Sequence, residues 1–243
     1  MNRPRVTVVV PIHNEAGYLP EAMPRLLAEL EDVAADIDIL LVENGSTDST
    51  ADVAAGFAAR HPNVATLRLP EPDYGAAMRA GFLTARGDWV VNFDIDFFSG
   101  SFLNAVLQAG PDTDVVLASK RVAGSADHRP LLRRLGTRVF NLLLTILFRS
   151  RVSDTHGMKA IRAHVVAEVT PRVISTLDLF DTELVLRAER AGYRIVETPV
   201  QVVELRATGM GLLRRVPRVL AGLWTLRRRF AREGRSSRRG DAV

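Results

Sequence analysis

Residues 6–15 read VTVVVPIHNE: five consecutive β-branched residues, then a proline, then mainly polar side chains. Such an uninterrupted run predicts a strand buried on both faces, because a strand with one wet face alternates apolar and polar residues. An acidic, leucine-rich stretch at about 17–34 predicts a helix, and IDILLV at 37–42 predicts a second buried strand. Thr47 and Asp48 are predicted to cap the helix that follows.

The same alternation of strand and helix continues to residue 119. Further strands are predicted at 64–69, 88–93 and 114–119, and further helices at 74–85 and 101–109. This order predicts an α/β fold. The sheet is expected to be Rossmann-like, doubly wound and mostly parallel, with helices on both faces.

After residue 120 the pattern changes to a polar loop and mainly helical segments. Helices are predicted at 131–148, 179–191 and 211–232, with a strand segment at 194–203 that Pro199 breaks. We predict a single domain over 1–232, divided into halves at 1–120 and 121–232. The second half ends in a basic amphipathic helix, and the tail at 233–243 is predicted to be disordered.

Composition narrows the class of protein. The chain has 243 residues, of which 47% are hydrophobic and 25% charged, and it has no cysteine. These values fit one soluble domain and exclude disulfide frameworks, zinc–thiolate sites and cysteine nucleophiles. No run of about 18 apolar residues occurs and the N-terminus has no signal-peptide layout, so we expect neither a spanning helix nor a secretory leader.

Charge is distributed unevenly along the chain. From Arg206 to Arg239 there are 11 arginines and one acid, whereas residues 1–205 have 21 basic and 26 acidic side chains. This asymmetry predicts a polyanionic partner, either a membrane surface or a nucleic acid. Among the 32 basic residues, only Lys120 and Lys159 are lysines.

Polar residues stand where four predicted strands end. These segments are Pro11–Glu15, Glu43–Asp48, Asp94–Asp96 and Ser119–Arg121. Ligands of open parallel sheets bind outside the carboxyl ends of the strands. In extended backbone the carboxylates of Asp94 and Asp96 point the same way, about 7 Å apart. The pair therefore predicts a site for Mg²⁺ or Mn²⁺ that also holds ligand phosphates, with helix capping as the structural alternative.

Signatures of other enzyme classes are missing. The glycine loop at Tyr74–Ala77 lacks G-x-G-x-x-G, which disfavours a nicotinamide-dependent Rossmann enzyme. The sequence also has no P-loop and no G-x-S-x-G, which excludes P-loop chemistry and argues against an α/β-hydrolase. The histidines have no zinc-ligand spacing.

Three segments of the first half form a recognisable set: PIHNEAGYL at 11–19, LLVENGSTDST at 40–50 and YGAAMRAGFLTARGDWVVNFDID at 74–96. Together they resemble the nucleotide-sugar half of family 2 glycosyltransferases of the GT-A fold. The second half is similar to the polyprenyl- (dolichyl-) phosphate sugar transferases of that family. Its matching segments are 152–159, 180–183 and AERAGYRIVETPV at 188–200. The resemblance spans about residues 5–230 and implies an inverting transfer of a hexose from GDP-mannose or UDP-glucose to polyprenyl phosphate.

The resemblance assigns roles to single residues. Those assigned to the donor are Pro11, His13, Glu15, Glu43, Asn44, Gly75, Asp94 and Arg206. Asp94 and Asp96 match the metal-binding D-x-D, which implies Mg²⁺ or Mn²⁺ as cofactor. Glu43-Asn44 departs from the usual pair of aspartates, and Phe98 stands where relatives often have a third polar ligand. A lysine that relatives have after Arg206 is missing, with Arg214 as a substitute.

The implied reaction is a single displacement with inversion. Its catalytic candidates are Asp96, Arg121 (or Lys120), Arg138, Asp154 and Glu183. The second pKa of a phosphate monoester is about 6, so a phosphate acceptor is already a dianion at pH 7 and needs only cations that position it. For an alcohol acceptor the candidate bases are Asp154, Asp181 and Glu183. Acids in the first turn of a helix also stabilise its dipole, which is the structural alternative for the last two.

Two segments predict contact with a lipid surface. The apolar stretch at 139–148 is flanked by arginines, and the last predicted helix combines leucines and Trp224 with arginines. Both patterns fit helices in a membrane interface, with packing on the sheet as the alternative. We expect a cytoplasmic, bacterial protein that is peripheral at the inner face of the cell membrane. No nucleic-acid motif or interleaved aromatic pattern is present, so we expect no nucleic acid as partner.

Two other functions stay open. The same fold is compatible with a saccharide or small-alcohol acceptor. A catalytically inactive scaffold that binds nucleotide sugars is favoured by Glu43-Asn44, Phe98 and the missing lysine, and is opposed by the intact Asp94 and Asp96.

Overall fold

The structure is a computed structural model that describes the backbone of residues 3–119, 126–127, 131–202 and 212–240. Side chains are described at the same positions except 126–127, 131–133, 178, 201–202, 212–215 and 234–240. The strands are β1 (Arg5–Ile12), β2 (Asp36–Asn44), β3 (Val64–Leu69), β4 (Trp89–Asn92), β5 (Val115–Ser119), β6 (Ala126–Asp127), β7 (Lys159–Arg162), β8 (Ile195–Pro199) and β9 (Gln201–Val202). The helices are α1 (Leu19–Glu31), α2 (Thr50–Arg60), α3 (Tyr74–Thr84), α4 (Gly100–Gln108), α5 (Leu131–Phe148), α6 (Ala163–Val169), α7 (Phe180–Arg190) and α8 (Leu212–Gly240), with 3₁₀ turns at Thr170–Arg172 and Leu177–Leu179.

The main sheet has the order β3-β2-β1-β4-β7-β5-β8, and β6 pairs with β9 apart from it. The pairs β1–β2, β1–β4, β2–β3 and β5–β8 are parallel, which confirms the predicted doubly wound, mostly parallel sheet. Strand β7 is antiparallel to both β4 and β5. Neither β7 nor α6 was predicted, because KAIR is short and begins with a lysine, a residue rarely buried in a sheet.

Strand β1 is buried on both faces, as its sequence predicts. Val8 and Val10 belong to an apolar cluster with residues of α1 and α4 such as Leu26 and Leu103. Val9 points to the other face and belongs to a cluster with residues of α3 and α7. The sheet is therefore the middle of three layers, with α1 and α4 on one face and α3 and α7 on the other.

A third apolar cluster fixes the C-terminal helix to the body of the protein. It consists of Leu144, Leu179, Leu186, Leu223, Leu226 and Phe230. These side chains come from α5, α7 and α8 and from the turn before α7. No helix in the described residues is both long enough and apolar enough to span a membrane.

The helix boundaries differ from the predictions at two points. The N-cap of α2 is Ser49, not Thr47 or Asp48, while Asp48 Oδ1 accepts from Thr50 N inside the first turn. Helix α8 continues as far as Gly240, whereas disorder was predicted from residue 233. Its last turns are rich in arginine, which favours helix, and the helix is already anchored through Phe230. Residues 241–243 lie outside the described part of the chain.

Helix α3 packs unusually close to the sheet. A Cβ at Gly81 would lie 2.5 Å from Val9 Cγ1 and 2.9 Å from Val42 Cγ2. We expect Gly81→Ala to lower the free energy of unfolding by about 1–3 kcal/mol in denaturant titrations, because the branched side chains of a packed sheet have little room to move. Gly56→Ala in α2 is the matched control, since its Cβ would meet only the end of the Arg60 side chain at 3.5 Å. Equal effects of the two substitutions would contradict the close approach.

Candidate active site

The carboxyl ends of β1, β2 and β4 meet at one edge of the sheet. In the register of the parallel pairs, Ile12 lies beside Glu43, and Val9 lies beside Asn92. The segments that follow the three strands therefore start next to one another. Ligands bind at this edge in open α/β sheets.

Hydrogen bonds lock the loops after β1 and β2 together. Asn14 N donates to Ser46 Oγ at 3.0 Å, and Thr47 N donates to Asn14 Oδ1 at 2.8 Å. Glu15 N donates to Thr50 Oγ1 at 2.8 Å. Asn14 has a φ of 54°, in the left-handed region that asparagine tolerates better than most residues. The predicted donor-binding residues of these loops are thus held on a rigid frame.

The same frame orients His13. Its Nδ1 donates to the backbone oxygen of Asn44 at 2.7 Å, and its Nε2 lies 3.2 Å from Asn14 Nδ2. A carbonyl oxygen only accepts, so the ring proton is on Nδ1 and Nε2 is the acceptor. Pro11, the residue before Ile12, is half-buried and pairs with Val42 across the sheet.

Glu43 and Asn44 are both buried but differ in what their side chains do. Glu43 Oε1 accepts from Ser46 N at 2.5 Å. Glu43 Oε2 lies 3.3 Å from the nitrogen Nε of Arg68, a side chain that is 73% exposed, and has no hydrogen-bond partner in the described residues. Asn44 Oδ1 accepts from Asp73 N at 2.8 Å. Asn44 thus connects β2 to the start of α3, whereas Glu43 is held by the loop at Oε1 and forms an ion pair with the exposed Arg68 at Oε2.

Gly75 is a position of close approach between two backbones. A Cβ there would lie 2.7 Å from Thr176 Cα. This contact lets the first turn of α3 pack against the segment before α7. The structure thus gives Gly75 a packing role, and its predicted role in donor binding stays a prediction.

Asp94 and Asp96 lie in a tight turn. Phe97 N donates to Asp94 O at 3.0 Å, and Asp94 N donates to Phe97 O at 3.2 Å. The extended backbone predicted for residues 94–96 is therefore wrong, because these two hydrogen bonds close a β-turn. Ile95 is buried in the core while the flanking aspartates are half-buried. Phe98, the residue at the third-ligand position, packs against the apolar cluster of α1 and α4.

The chemistry of this turn fits a hard divalent cation. Carboxylate oxygens are the ligands that Mg²⁺ and Mn²⁺ prefer, and Mg²⁺ commonly combines one or two carboxylates with waters and phosphate oxygens. Within the described residues no group of three or more His, Asp or Glu side chains is arranged to hold a metal. The metal-binding role of Asp94 and Asp96 stays a prediction, in which water and a phosphate would supply the other ligands.

Asp154 lies on the loop between α5 and β7, with its carboxyl group buried. Asp154 Oδ1 accepts from His156 N at 3.0 Å, whereas Oδ2 has no hydrogen-bond partner in the described residues. A buried carboxylate oxygen without a partner costs free energy, so it is commonly found where a ligand or a proton completes the site. This orphan oxygen marks the loop as the second part of the candidate site.

Glu197 of β8 holds one end of that loop. Its Oε1 accepts from Ser153 N at 2.9 Å, Ser153 Oγ at 2.7 Å and Asp154 N at 3.3 Å. The hydroxyl of Ser153 also lies 2.7 Å from that of Ser119, at the end of β5. The position of Asp154 is therefore fixed from the sheet.

Lys159 and Asp181 form a buried ion pair beneath the site. Lys159 Nζ donates to Asp181 Oδ1 at 2.9 Å and to Asn92 Oδ1 and Gly157 O, each at 2.8 Å. Tyr74 OH donates to Asp181 Oδ2 at 2.9 Å. Burial, together with the negative charges of Asp181 and Asp94, raises the pKa of the Tyr74 hydroxyl well above its usual value. Both oxygens of Asp181 are thus engaged, which leaves it poorly suited to act as a base.

Glu183 is completely buried in the first turn of α7. Its Oε2 accepts from Ser175 N at 2.7 Å and Ile174 N at 3.2 Å, and its Oε1 accepts from Arg187 Nε at 2.7 Å. These contacts anchor the segment before α7 to the helix. They give Glu183 a structural role, and its predicted role as a base stays a prediction.

The predicted cations are only partly described. Arg138 lies exposed on α5. Lys120, Arg121 and Arg206 lie outside the described residues, and Arg214 is in α8 at a position without a described side chain.

Sequence reasoning missed Lys159, Asn92, Tyr74 and Glu197. A signal for Lys159 was present, since it is one of only two lysines in a chain that otherwise uses arginine. An ammonium group presents three donors around one atom and fits three converging acceptors, which a planar guanidinium does not.

Known glycosyltransferases are similar to this chain in sequence. The family model described as "Glycosyl transferase family 2" matches residues 7–170. An uncharacterized glycosyltransferase of Mycobacterium tuberculosis is 34% identical over 198 residues, which cover 80% of this chain and 84% of that protein. An undecaprenyl-phosphate mannosyltransferase of Micrococcus luteus is 32% identical over 211 residues, which cover 82% of this chain and 84% of the relative.

Among solved structures, a similar one is glucosyl-3-phosphoglycerate synthase of Mycobacterium tuberculosis in complex with Mn²⁺, UDP-glucose and phosphoglyceric acid. The match has a TM-score of 0.66 and 20% identity, and it covers 92% of this chain and 80% of the other. This likeness concerns the fold, and with the family match it confirms the predicted GT-A class.

The contacts of Glu183 lead to a stability prediction. Glu183→Gln keeps the shape but removes the charge that faces Arg187, so we expect the free energy of unfolding to fall by roughly 1.5–3 kcal/mol. Denaturant titration measures this, with Glu21→Gln on the exposed face of α1 as a control that changes it by less than about 0.5 kcal/mol. Unchanged stability together with complete loss of sugar transfer would instead support the role as a base.

Proposed function

The chain belongs to glycosyltransferase family 2, and on that premise we propose that it transfers a hexose from GDP-mannose or UDP-glucose to polyprenyl phosphate with inversion. The observation on which this rests is that a rigid donor frame, the Asp94–Asp96 turn and the buried Asp154 loop lie at one edge of the sheet, where β1, β2 and β4 end and β7 begins. The similarity to an undecaprenyl-phosphate mannosyltransferase supports a lipid phosphate as acceptor.

The donor nucleotide is proposed to lie on the loops after β1 and β2. Glu43 Oε2 is buried, pairs with the exposed Arg68 and has no hydrogen bond in the described residues, so we propose that a nucleobase N–H donates to it. Asn44 is engaged with Asp73, so we propose that it shapes the pocket through the backbone of the α3 turn. Pro11, His13 and Glu15 complete the donor side, and Arg206 is proposed to bind the diphosphate.

Asp94 and Asp96 are proposed to hold Mg²⁺ or Mn²⁺ against the donor diphosphate. The ion supplies positive charge that stabilises the departing nucleoside diphosphate. The backbone of both aspartates lies in a closed turn, which limits the positions that their carboxylates can take before the substrate binds. Preorganised charge of this kind commonly accounts for the largest part of an enzyme's rate acceleration.

The acceptor phosphate is proposed to approach from the side of Asp154. A phosphate monoester is a dianion near pH 7, so attack on the anomeric carbon needs no proton removal. Lys120, Arg121 and Arg138 are proposed to orient it, and Asp154 to shape the charge of the pocket. For a saccharide or small-alcohol acceptor, the alternative, Asp154 Oδ2 is the base that would accept the hydroxyl proton.

The lipid part of the acceptor is proposed to stay in a membrane that the protein touches with its apolar stripe. We define the apolar stripe as the exposed side chains Leu135, Val139, Leu142 and Ile146 of α5 and Val216, Leu220 and Trp224 of α8. The two helices also share the third apolar cluster, so the stripe belongs to one packed unit.

Arginines accompany the apolar stripe along both helices. Those with described side chains on α5 and α8 are Arg134, Arg138, Arg218, Arg227, Arg228, Arg229 and Arg232. Arg228 lies over the Trp224 ring at 5.4 Å. Apolar side chains flanked by cations are typical of helices in the interface of an anionic bilayer. We therefore propose a peripheral location at the inner face of the cell membrane.

The metal-binding proposal leads to a test of activity. Asp94→Asn and Asp96→Asn are expected to lower kcat for transfer to polyprenyl phosphate by at least about 100-fold, because the leaving diphosphate loses its counter-charge. Melting temperatures should stay unchanged, and excess EDTA should abolish transfer by the unaltered protein. Asp38→Asn, at the exposed start of β2, is the control. Full transfer by either site variant would overturn the metal assignment. If the unaltered protein binds nucleotide sugars but never transfers the sugar, the alternative of a catalytically inactive scaffold is supported.

The apolar stripe leads to a test of membrane binding. Leu142→Glu combined with Ile146→Glu should weaken binding to phosphatidylglycerol vesicles by at least about tenfold. Two apolar side chains that would enter the bilayer are replaced by negative charges, which the anionic lipid repels. Leu83→Glu on α3 is the matched control, since Leu83 is 49% exposed and lies outside the stripe. Co-sedimentation with vesicles measures both. Equal binding by all three proteins would contradict the proposed surface.

A further inference from the structure

Lys159 lies beneath the candidate site, where its ammonium group contacts several parts of that site. The side chain is 1% exposed, and its ammonium group contacts Asn92, Gly157 and Asp181. The three N–H donors of the ammonium are matched by three oxygens within 2.9 Å. Such complete pairing is what a buried cation requires.

Each of the three acceptors belongs to a different part of the site. Asn92 is the last residue of β4 and stands two positions before Asp94. Gly157 belongs to the loop of Asp154, three positions further along the chain. Asp181 is the second residue of α7 and accepts from Tyr74 at the start of α3, the turn that Asn44 also holds through Asp73. One side chain therefore connects the metal-binding turn, the acceptor loop and the donor frame.

We propose that Lys159 is a positioning residue that sets the separation between the Asp94–Asp96 turn and the 153–158 loop. The inference rests on the proposed function, in which the donor diphosphate lies at the turn and the acceptor lies at the loop. In-line attack needs the two phosphates at one fixed distance, and a displacement of 1 Å costs about 100-fold in rate. Lys159 touches neither substrate, so it acts on the rate through this geometry.

The variants are chosen to avoid a buried uncompensated charge. Lys159→Met alone strands the Asp181 carboxylate, which is destabilising whatever the role of the lysine. The double variant Lys159→Met/Asp181→Asn removes both charges and keeps the side-chain volumes. Arg162→Met is the matched control, because Arg162 is on the same strand but stacks on Trp89, 4.1 Å from the ring centre. Lys159→Arg retains the charge with a different geometry.

The first readout needs neither substrate nor activity. Amide hydrogen exchange of the ligand-free protein should rise about tenfold or more in both 93–97 and 153–158 in the double variant. Exchange in β1 and β2 should stay within about twofold of the unaltered protein, and Arg162→Met should change neither segment. Unchanged exchange in the two segments, or an equal rise throughout the domain, would overturn the positioning role.

The second readout is the division between kcat and KM. In the double variant kcat should fall about tenfold or more while KM for the donor stays within about threefold, since the donor frame is intact. Lys159→Arg should recover part of kcat. If kcat of the double variant falls only in proportion to the fraction of protein that is unfolded, Lys159 has a purely structural role. If the unaltered protein transfers no sugar, the proposed function is refuted. The exchange experiment would still test whether Lys159 holds the two segments in place.

Discussion

Strand β1 has to be covered on both faces, and the rest of the molecule follows from this requirement. Its valines leave no face for water, so helices must pack above and below the sheet. Helices on both sides demand crossover connections, and these connections align the strands in parallel. Parallel strands end at one edge. The loops that leave β1, β2 and β4 are therefore neighbours before any side-chain interaction between them is considered.

The two halves of the site are made rigid by different means. On the donor side, neighbouring loops exchange hydrogen bonds between backbone and short polar side chains, as Asn14 does with Ser46 and Thr47. On the proposed acceptor side, charged groups hold the backbone from below, namely the half-buried Glu197 and the buried Lys159. Hydrogen bonds between short polar groups require little desolvation at an edge that solvent reaches. Buried charges are stabilising only when every contact is satisfied, so the acceptor side tolerates less substitution.

The sequence predicts the parallel strands well because their apolar runs are long and uninterrupted. It does not predict β7, since a four-residue strand with a buried lysine contradicts local preference, and only the pairing with β4 and β5 makes it favourable. The sequence draws attention to the Asp94–Asp96 pair but does not predict its turn. The two backbone hydrogen bonds between Asp94 and Phe97 that close the turn have no signature in the residue types. The engagement of Glu183 was equally hidden, because its partners Ser175 and Arg187 become neighbours only when α7 is folded.

Among the described side chains of helix α8, those of its middle turns fasten it to the body. Arg187 donates to Glu233, and Arg227 NH1 donates to the Leu147 carbonyl. The guanidinium groups of Arg187 and Arg190 both lie over the Phe230 ring. On the proposed bilayer this attachment sets the height of the reactive edge above the lipid. A polyprenyl chain extracted into water would lose about 0.8 kcal/mol per CH₂. With the height fixed, only the headgroup has to rise, and the search for the acceptor becomes diffusion in two dimensions.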